Sequence, residues 1–176
     1  NADGRPDLYA IERQGASGRT EVHVLNGANS FKSYLTNVAT ALIATGNDYS
    51  WDFALADMNG DSRPDLYVIR KAGPSGRTEV HILNGATNFQ SYLLNVATVL
   101  PPTGNSNYWN FKVGDYNLDG KPDVYVINKQ GASGKTEVSV MNGADNFQTY
   151  LLSSAASALY PTGGNVVWEF ELVPAR

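Results

Sequence analysis

The chain predicts an all-β fold of three four-stranded, propeller-like blades, and three observations carry that reading. One unit is written three times in 176 residues: Asp3, Asp61 and Asp119 lie 58 residues apart, as do Asn26, Asn84 and Asn142, and Tyr34, Tyr92 and Tyr150. A full unit contains four segments of β character separated by turn residues, which is the arithmetic of a propeller blade. The two ends complement one another. The first unit lacks the Trp-x-Phe-x-Leu segment that opens the others, and that segment stands at the far end as Trp168 to Leu172. A ring closed by pairing the N- and C-terminal strands removes an exposed sheet edge. A β-trefoil, also three units of four strands, and one half of a six-bladed propeller shared by two chains are the alternatives.

The units run over approximately 1–50, 51–108 and 109–167 of a single repeat domain spanning 1–176, with 168–172 as the closing strand. After an acidic loop, the first unit enters a strand from Asp7 to Ile11, and Gly15-Ala16-Ser17-Gly18 makes a turn. A second strand, Thr20 to Leu25, ends at Asn26-Gly27, a strong turn signal. The segment Phe31 to Leu42 mixes strand and helix spacings. Its Phe, Tyr, Val and Thr are β-prone, and its counterpart Phe89 to Leu100 runs into Pro101-Pro102, so it reads as a long bent strand beginning at the phenylalanine. A Thr-Gly turn leads to Trp51-Asp52-Phe53-Ala54-Leu55, or to Trp109-Asn110-Phe111-Lys112-Val113, whose alternation puts the large apolar residues on one face. The tryptophans are better explained by core packing than by sugar stacking.

The acidic loops carry the chemistry. Asp115, Asn117, Asp119 and Asp123 occupy loop positions 1, 3, 5 and 9 with Gly120 at position 6, and Asp57, Asn59, Asp61 and Asp65 repeat the pattern. Oxygen donors at that spacing can surround one hard cation, here Ca²⁺, while a glycine takes the bend. The second loop has Ser62 at the bend, and the first keeps only Asn1, Asp3 and Asp7 of its set. The simpler reading is turn chemistry, with Asp and Asn capping a tight bend.

A net charge of −4 argues against nucleic acid as a partner, and no apolar run approaches the roughly 18 residues of a membrane span. Eight of the 17 acidic residues sit in the three loops, a balance suited to a calcium-rich, secreted or extracellular setting. There is no cysteine, so neither disulfides nor thiolate metal sites are available. A chain that starts at Asn1 in mid-motif reads as cut from a larger precursor or engineered.

The acidic loop followed by Pro-Asp-Leu-Tyr-Val-Ile and then Thr-Glu-Val-His-Ile-Leu-Asn-Gly resembles the FG-GAP/VCBS class of β-propeller repeat, over essentially the whole chain. Repeats of that class occur in integrin heads, in some fungal lectins and at the C-termini of secreted actinobacterial hydrolases, including muramidases. The resemblance implies calcium in the loops, with Asp57, Asn59, Asp61 and Asp65 in one site and Asp115, Asn117, Asp119 and Asp123 in another. It also implies a backbone carbonyl at position 7, from Arg63 and from Lys121.

No Gly-x-Ser-x-Gly, His-Glu-x-x-His, phosphate-cradling glycine loop or cysteine nucleophile is present, and nearly every polar residue occurs three times, whereas a catalytic constellation is normally unique. His23 and His81 correspond to Ser139 in the third unit, which argues against a histidine role common to all three. Repetition favours multivalent, non-catalytic binding to a repetitive target such as a cell-wall glycan or other polysaccharide, by a monomer or a homodimer. Aromatic faces and planar polar groups hold sugars, so the candidates are Tyr34, Tyr92 and Tyr150, Asn26, Asn84 and Asn142, and Tyr9, Tyr67 and Tyr125. The expected role is that of a lectin-like module targeting a hydrolase. A protein-interaction or structural repeat scaffold is the competing expectation.

Overall fold

Alternation of apolar and polar residues resolves into eleven β-strands in a computed structural model that describes residues 3–164 and 167–173. The first sheet is β1 (Leu8–Glu12), β2 (Arg19–Leu25) and β3 (Tyr34–Ile43). The second is β4 (Trp51–Ala56), β5 (Asp65–Arg70), β6 (Glu79–Leu83) and β7 (Tyr92–Ala97). The third is β8 (Trp109–Gly114), β9 (Asp123–Asn128), β10 (Glu137–Met141) and β11 (Tyr150–Ala156). Every sheet is an antiparallel meander whose neighbours in sequence are neighbours in space. Each strand pairs only within its own unit, which is the blade arrangement and not that of a trefoil. Among the described residues no helix is long and apolar enough to cross a membrane.

The second sheet is buried on both faces. Leu66, Val68 and Leu83 join Val22, Val24, Leu42 and Phe89 against the first sheet. Tyr67, Ile69, Val80 and Ile82 turn the other way and meet Phe111, Val126 and Phe147 of the third. This explains why Asp65-Leu66-Tyr67-Val68-Ile69 is almost continuously buried, whereas the outer strands alternate.

The long third segment departs from expectation at its start. Phe31, Phe89 and Phe147 lie outside the strands at φ 63°, 61° and 65°, each following a second left-handed residue, Ser30, Asn88 or Asn146. β-Propensity favours phenylalanine in a strand, but here the doublet swings the ring out of the sheet. Phe89 and Phe147 become almost fully buried plugs between sheets, while Phe31 is 48% exposed. The plugged backbones also bond across the boundaries, Ala41 N–H to Phe89 O and Val99 N–H to Phe147 O, both at 2.9 Å. The strand then bends at a shift in pairing, between Val24 and Leu25 in the first sheet and between Ile82 and Leu83 in the second.

Among the described residues no strand pairing closes the ring. Residues 168–172 carry no strand, and among the described residues none pairs with the free edge of β1. The segment lies instead against β8, where Lys112 Nζ meets Glu171 Oε1 at 3.0 Å and Leu172 sits beside Gly114. One contact recurs at every boundary and explains that placement. Arg13 lies over the Phe53 ring, Lys71 over Phe111 and Lys129 over Phe170, at 5.2, 5.7 and 5.9 Å. Residues 168–172 therefore occupy the position of a following blade's first strand.

Candidate functional site

Each acidic loop is folded by its own carboxylates. In the second, Asp57 Oδ1 accepts from the N–H groups of Gly60 and Asp61 at 2.7 and 3.2 Å, and Oδ2 accepts from Ser62 at 2.7 Å. Asp61 accepts from the Arg63 N–H at 2.8 Å and from the Asn59 amide at 3.0 Å. The third loop repeats this: Asp115 accepts from Asp119 and Gly120 at 3.1 and 2.8 Å, and Asp119 from Lys121 and Asn117 at 2.8 and 2.9 Å. In the first, Asp3 accepts from the Arg5 N–H at 2.9 Å. Asn1 lies outside the described residues.

The position-9 aspartate fastens the loop to a turn twenty residues away. Asp65 accepts from Met58 N–H at 2.9 Å and Gly85 N–H at 2.8 Å, Asp123 from Tyr116 at 2.9 Å and Gly143 at 2.7 Å, and Asp7 from Gly27 at 2.9 Å. Gly85 cannot be larger, because a Cβ there would lie 2.2 Å from the Pro64 carbonyl oxygen. Burial pushes the Asp65 and Asp123 carboxyls above their ordinary value. The two backbone bonds oppose the shift, and the neighbouring loop aspartates add to it. The side chains presented are all oxygen donors, several with lone pairs left, and that chemistry fits a hard cation.

The candidate sugar contacts separate by location. Asn26, Asn84 and Asn142 cap the short 3-10 turns Gly27–Asn29, Gly85–Thr87 and Gly143–Asp145, each accepting from the N–H two residues on. Their side-chain oxygens are engaged in turn geometry. Tyr34 and Tyr92 are exposed at the strand entrances, and Tyr150 is half-buried there. Tyr125 is half-buried, edge-on to Tyr116 at 6.0 Å. Tyr67 is fully buried with its hydroxyl on Met58 Sδ at 3.1 Å, and this corrects its assignment as a sugar platform, since no ring face reaches solvent.

Tyr9, at the same place in the first unit, is half-buried and opens onto a cleft of about 560 Å³ between the first two sheets. Leu35 and Phe89 supply its other apolar surface, and Asp61, Arg63 and Asn88 supply polar groups. The corresponding pair at the next boundary, Tyr67 and Phe147, is fully buried in edge contact at 6.5 Å. The two boundaries thus differ, although the repeats predict equivalent clefts. The sequence offers the Asn-rich turn at Asn88 as a polar contact but not Leu35 or Phe89; the Asn-Phe pair recurring at Asn88-Phe89 and Asn146-Phe147 is the available signal.

Residues 1–68 match a family model described as an FG-GAP-like repeat, and this stretch is an FG-GAP-type repeat. Its acidic loop and β segments recur at the 58-residue period through the rest of the chain. Such a repeat points to a repeat scaffold or protein-interaction domain, and domains of this kind are generally non-catalytic. No curated protein matches the chain.

Proposed function

We propose that this repeat scaffold is a secreted, calcium-stabilised carbohydrate-binding module that holds polysaccharide, of the cell wall or otherwise, without turning it over, and so targets a hydrolase to its substrate. The observation that carries the reading is the cleft between the first two sheets. The half-buried Tyr9 ring with the exposed Leu35, facing Asp61, Arg63 and Asn88, offers both surfaces a pyranose needs, an apolar face to stack on and planar polar groups for its hydroxyls. Calcium would be held by Asp57, Asn59, Asp61, Asp65 and the Arg63 carbonyl, and by Asp115, Asn117, Asp119, Asp123 and the Lys121 carbonyl. Because Asp61 and Arg63 also line the cleft, metal in the second loop would set the shape of the sugar site. Exposed Tyr34 and Tyr92 add surface for a long chain.

The test is retention on immobilised peptidoglycan, chitin and cellulose in calcium. Wild-type protein is expected to be retarded on at least one matrix, and Tyr9→Ala to elute earlier at a temperature where its unfolding curve shows it folded. Free passage over every matrix would favour the protein-interaction reading, which the exposed Tyr34, Leu35 and Ile43 on β3 also suit.

A further inference from the structure

The first sheet has a feature that neither the acidic loops nor the cleft uses. In the β1–β2 pairing Glu12 stands directly opposite Glu21, and His23 is the next residue on the same face of β2. One ligand atom from each of the three side chains lies within 4.8 Å of the others. We propose that Glu12, Glu21 and His23 form a binding site for zinc(II), separate from the calcium loops and confined to the first unit.

Charge pattern is the first argument. Like charges directly opposite one another destabilise a strand pair. The other units avoid the clash, with Arg70 opposite Glu79 in the second and Asn128 opposite Glu137 in the third. Only the first sets two carboxylates face to face, and a cation between them removes the repulsion.

Geometry is the second. His23 Nδ1 is 2.8 Å from Asn37 Oδ1, so Nδ1–H donates to the amide and the Nε2 lone pair faces the carboxylates. Nε2 then stands 3.2 Å from Glu12 Oε2, a contact between two acceptors unless a proton or a metal lies between them. Ligands about 2.0–2.2 Å from a tetrahedral zinc lie about 3.4 Å from one another, close to that spacing. Glu21 is held from the other side. Its Oε1 accepts from the Ser17 hydroxyl at 2.6 Å and the Ser17 N–H at 2.9 Å, which leaves Oε2 for a metal. The carboxyl group folds over Gly15, where a Cβ would come within 2.2 Å of it.

Donor type is the third. One imidazole nitrogen with two carboxylates suits a borderline cation such as zinc, whereas the all-oxygen loops suit calcium. With no cysteine and two histidines in the chain, a zinc site using a nitrogen ligand must be at His23 or His81. His81 is buried, with Nδ1 on Asn95 at 2.7 Å and Arg70 where the first unit has Glu12.

The experiment is titration of the protein with zinc chloride in saturating calcium, followed by calorimetry and by the histidine ring signals in NMR. The expected result is one site, a shift of the His23 ring lines with those of His81 unmoved, and a loss of about tenfold or more in zinc affinity in both Glu12→Arg and His23→Ser. These exchanges install the side chains of the second and third units, and melting temperatures of the zinc-free variants check that each is folded. Unaltered zinc affinity in folded Glu12→Arg, equal shifts at both histidines, or no heat and no ring shift in the wild-type protein would overturn the proposal.

Discussion

Asp52 Oδ2 accepts a hydrogen bond from the backbone N–H of Phe111 at 3.2 Å, tying β4 of the second sheet to β8 of the third. Burial pushes the Asp52 carboxyl up, and the charge of Lys71, itself shielded from water, opposes the shift. Asn110 is the matching residue one unit on. Its Oδ1 is buried and has no partner among the described residues. Asp52→Ala should therefore remove the acceptor of the Phe111 N–H and the carboxyl that offsets the Lys71 charge, which keeps its bond to the Trp109 carbonyl, and cost about 1–3 kcal/mol, with Asn110→Ala costing clearly less. Thermal unfolding of the two variants side by side checks the contrast, and equal losses would remove the cross-boundary bond as the cause.

Ser62 sits at φ 64°, where the third loop has Gly120 at φ 83°. A side chain in the left-handed region costs roughly 1–2 kcal/mol. Ser62→Gly should stabilise the protein by about 1 kcal/mol, because the bond from Ser62 N–H to Asp57 belongs to the backbone and survives. Denaturant unfolding reads the gain. A loss would mean that the serine side chain has a role beyond the turn.

Burial pushes the His81 imidazole below its ordinary 6.5, against the Asn95 hydrogen bond and the nearby Glu79 charge. Between that lowered value and 6.5 the unfolded chain takes up a proton that the folded chain refuses. This contribution to stability is full above 6.5 and is lost as pH falls through the folded value. His81→Gln, which keeps a polar group facing Asn95, should flatten the decline in stability below pH 6.5, measured by denaturant titration at stepped pH. A wild-type slope in the variant would assign the decline to other groups.

The double change Asp115→Ala, Asp119→Ala removes proposed calcium ligands without touching the core. It should lower the melting temperature by more in calcium than in excess chelator. An equal drop in both conditions would reduce the loop to turn chemistry, which the bonds from Gly120 and Lys121 N–H groups already sustain.

The strands and their order were legible because alternation at period two and a constant 58-residue spacing both report on burial, and burial is what the sheets deliver. Phe31, Phe89 and Phe147 were misplaced because β-propensity describes a residue within a strand and says nothing of a left-handed doublet that turns it outward. The different fates of Tyr9 and Tyr67 could not be read from two nearly identical repeats: one faces an open cleft, the other meets Met58 and Phe147. The opposition of Glu12 and Glu21 became visible only once the register of β1 on β2 was known.

The left-handed doublets also bear on how this molecule comes apart. Asn88-Phe89 and Asn146-Phe147 hold a locally unfavourable backbone, and what offsets it is the seat each ring finds on a neighbouring sheet. Turn formation and docking are thereby coupled. A single unit in isolation carries the conformational cost without the compensation, so cooperativity passes from neighbour to neighbour as in other linear arrays. Amide exchange should then be slowest in β5 and β6, which are flanked on both sides, and protection should fall toward β1 and β11 together with the loss of one neighbour.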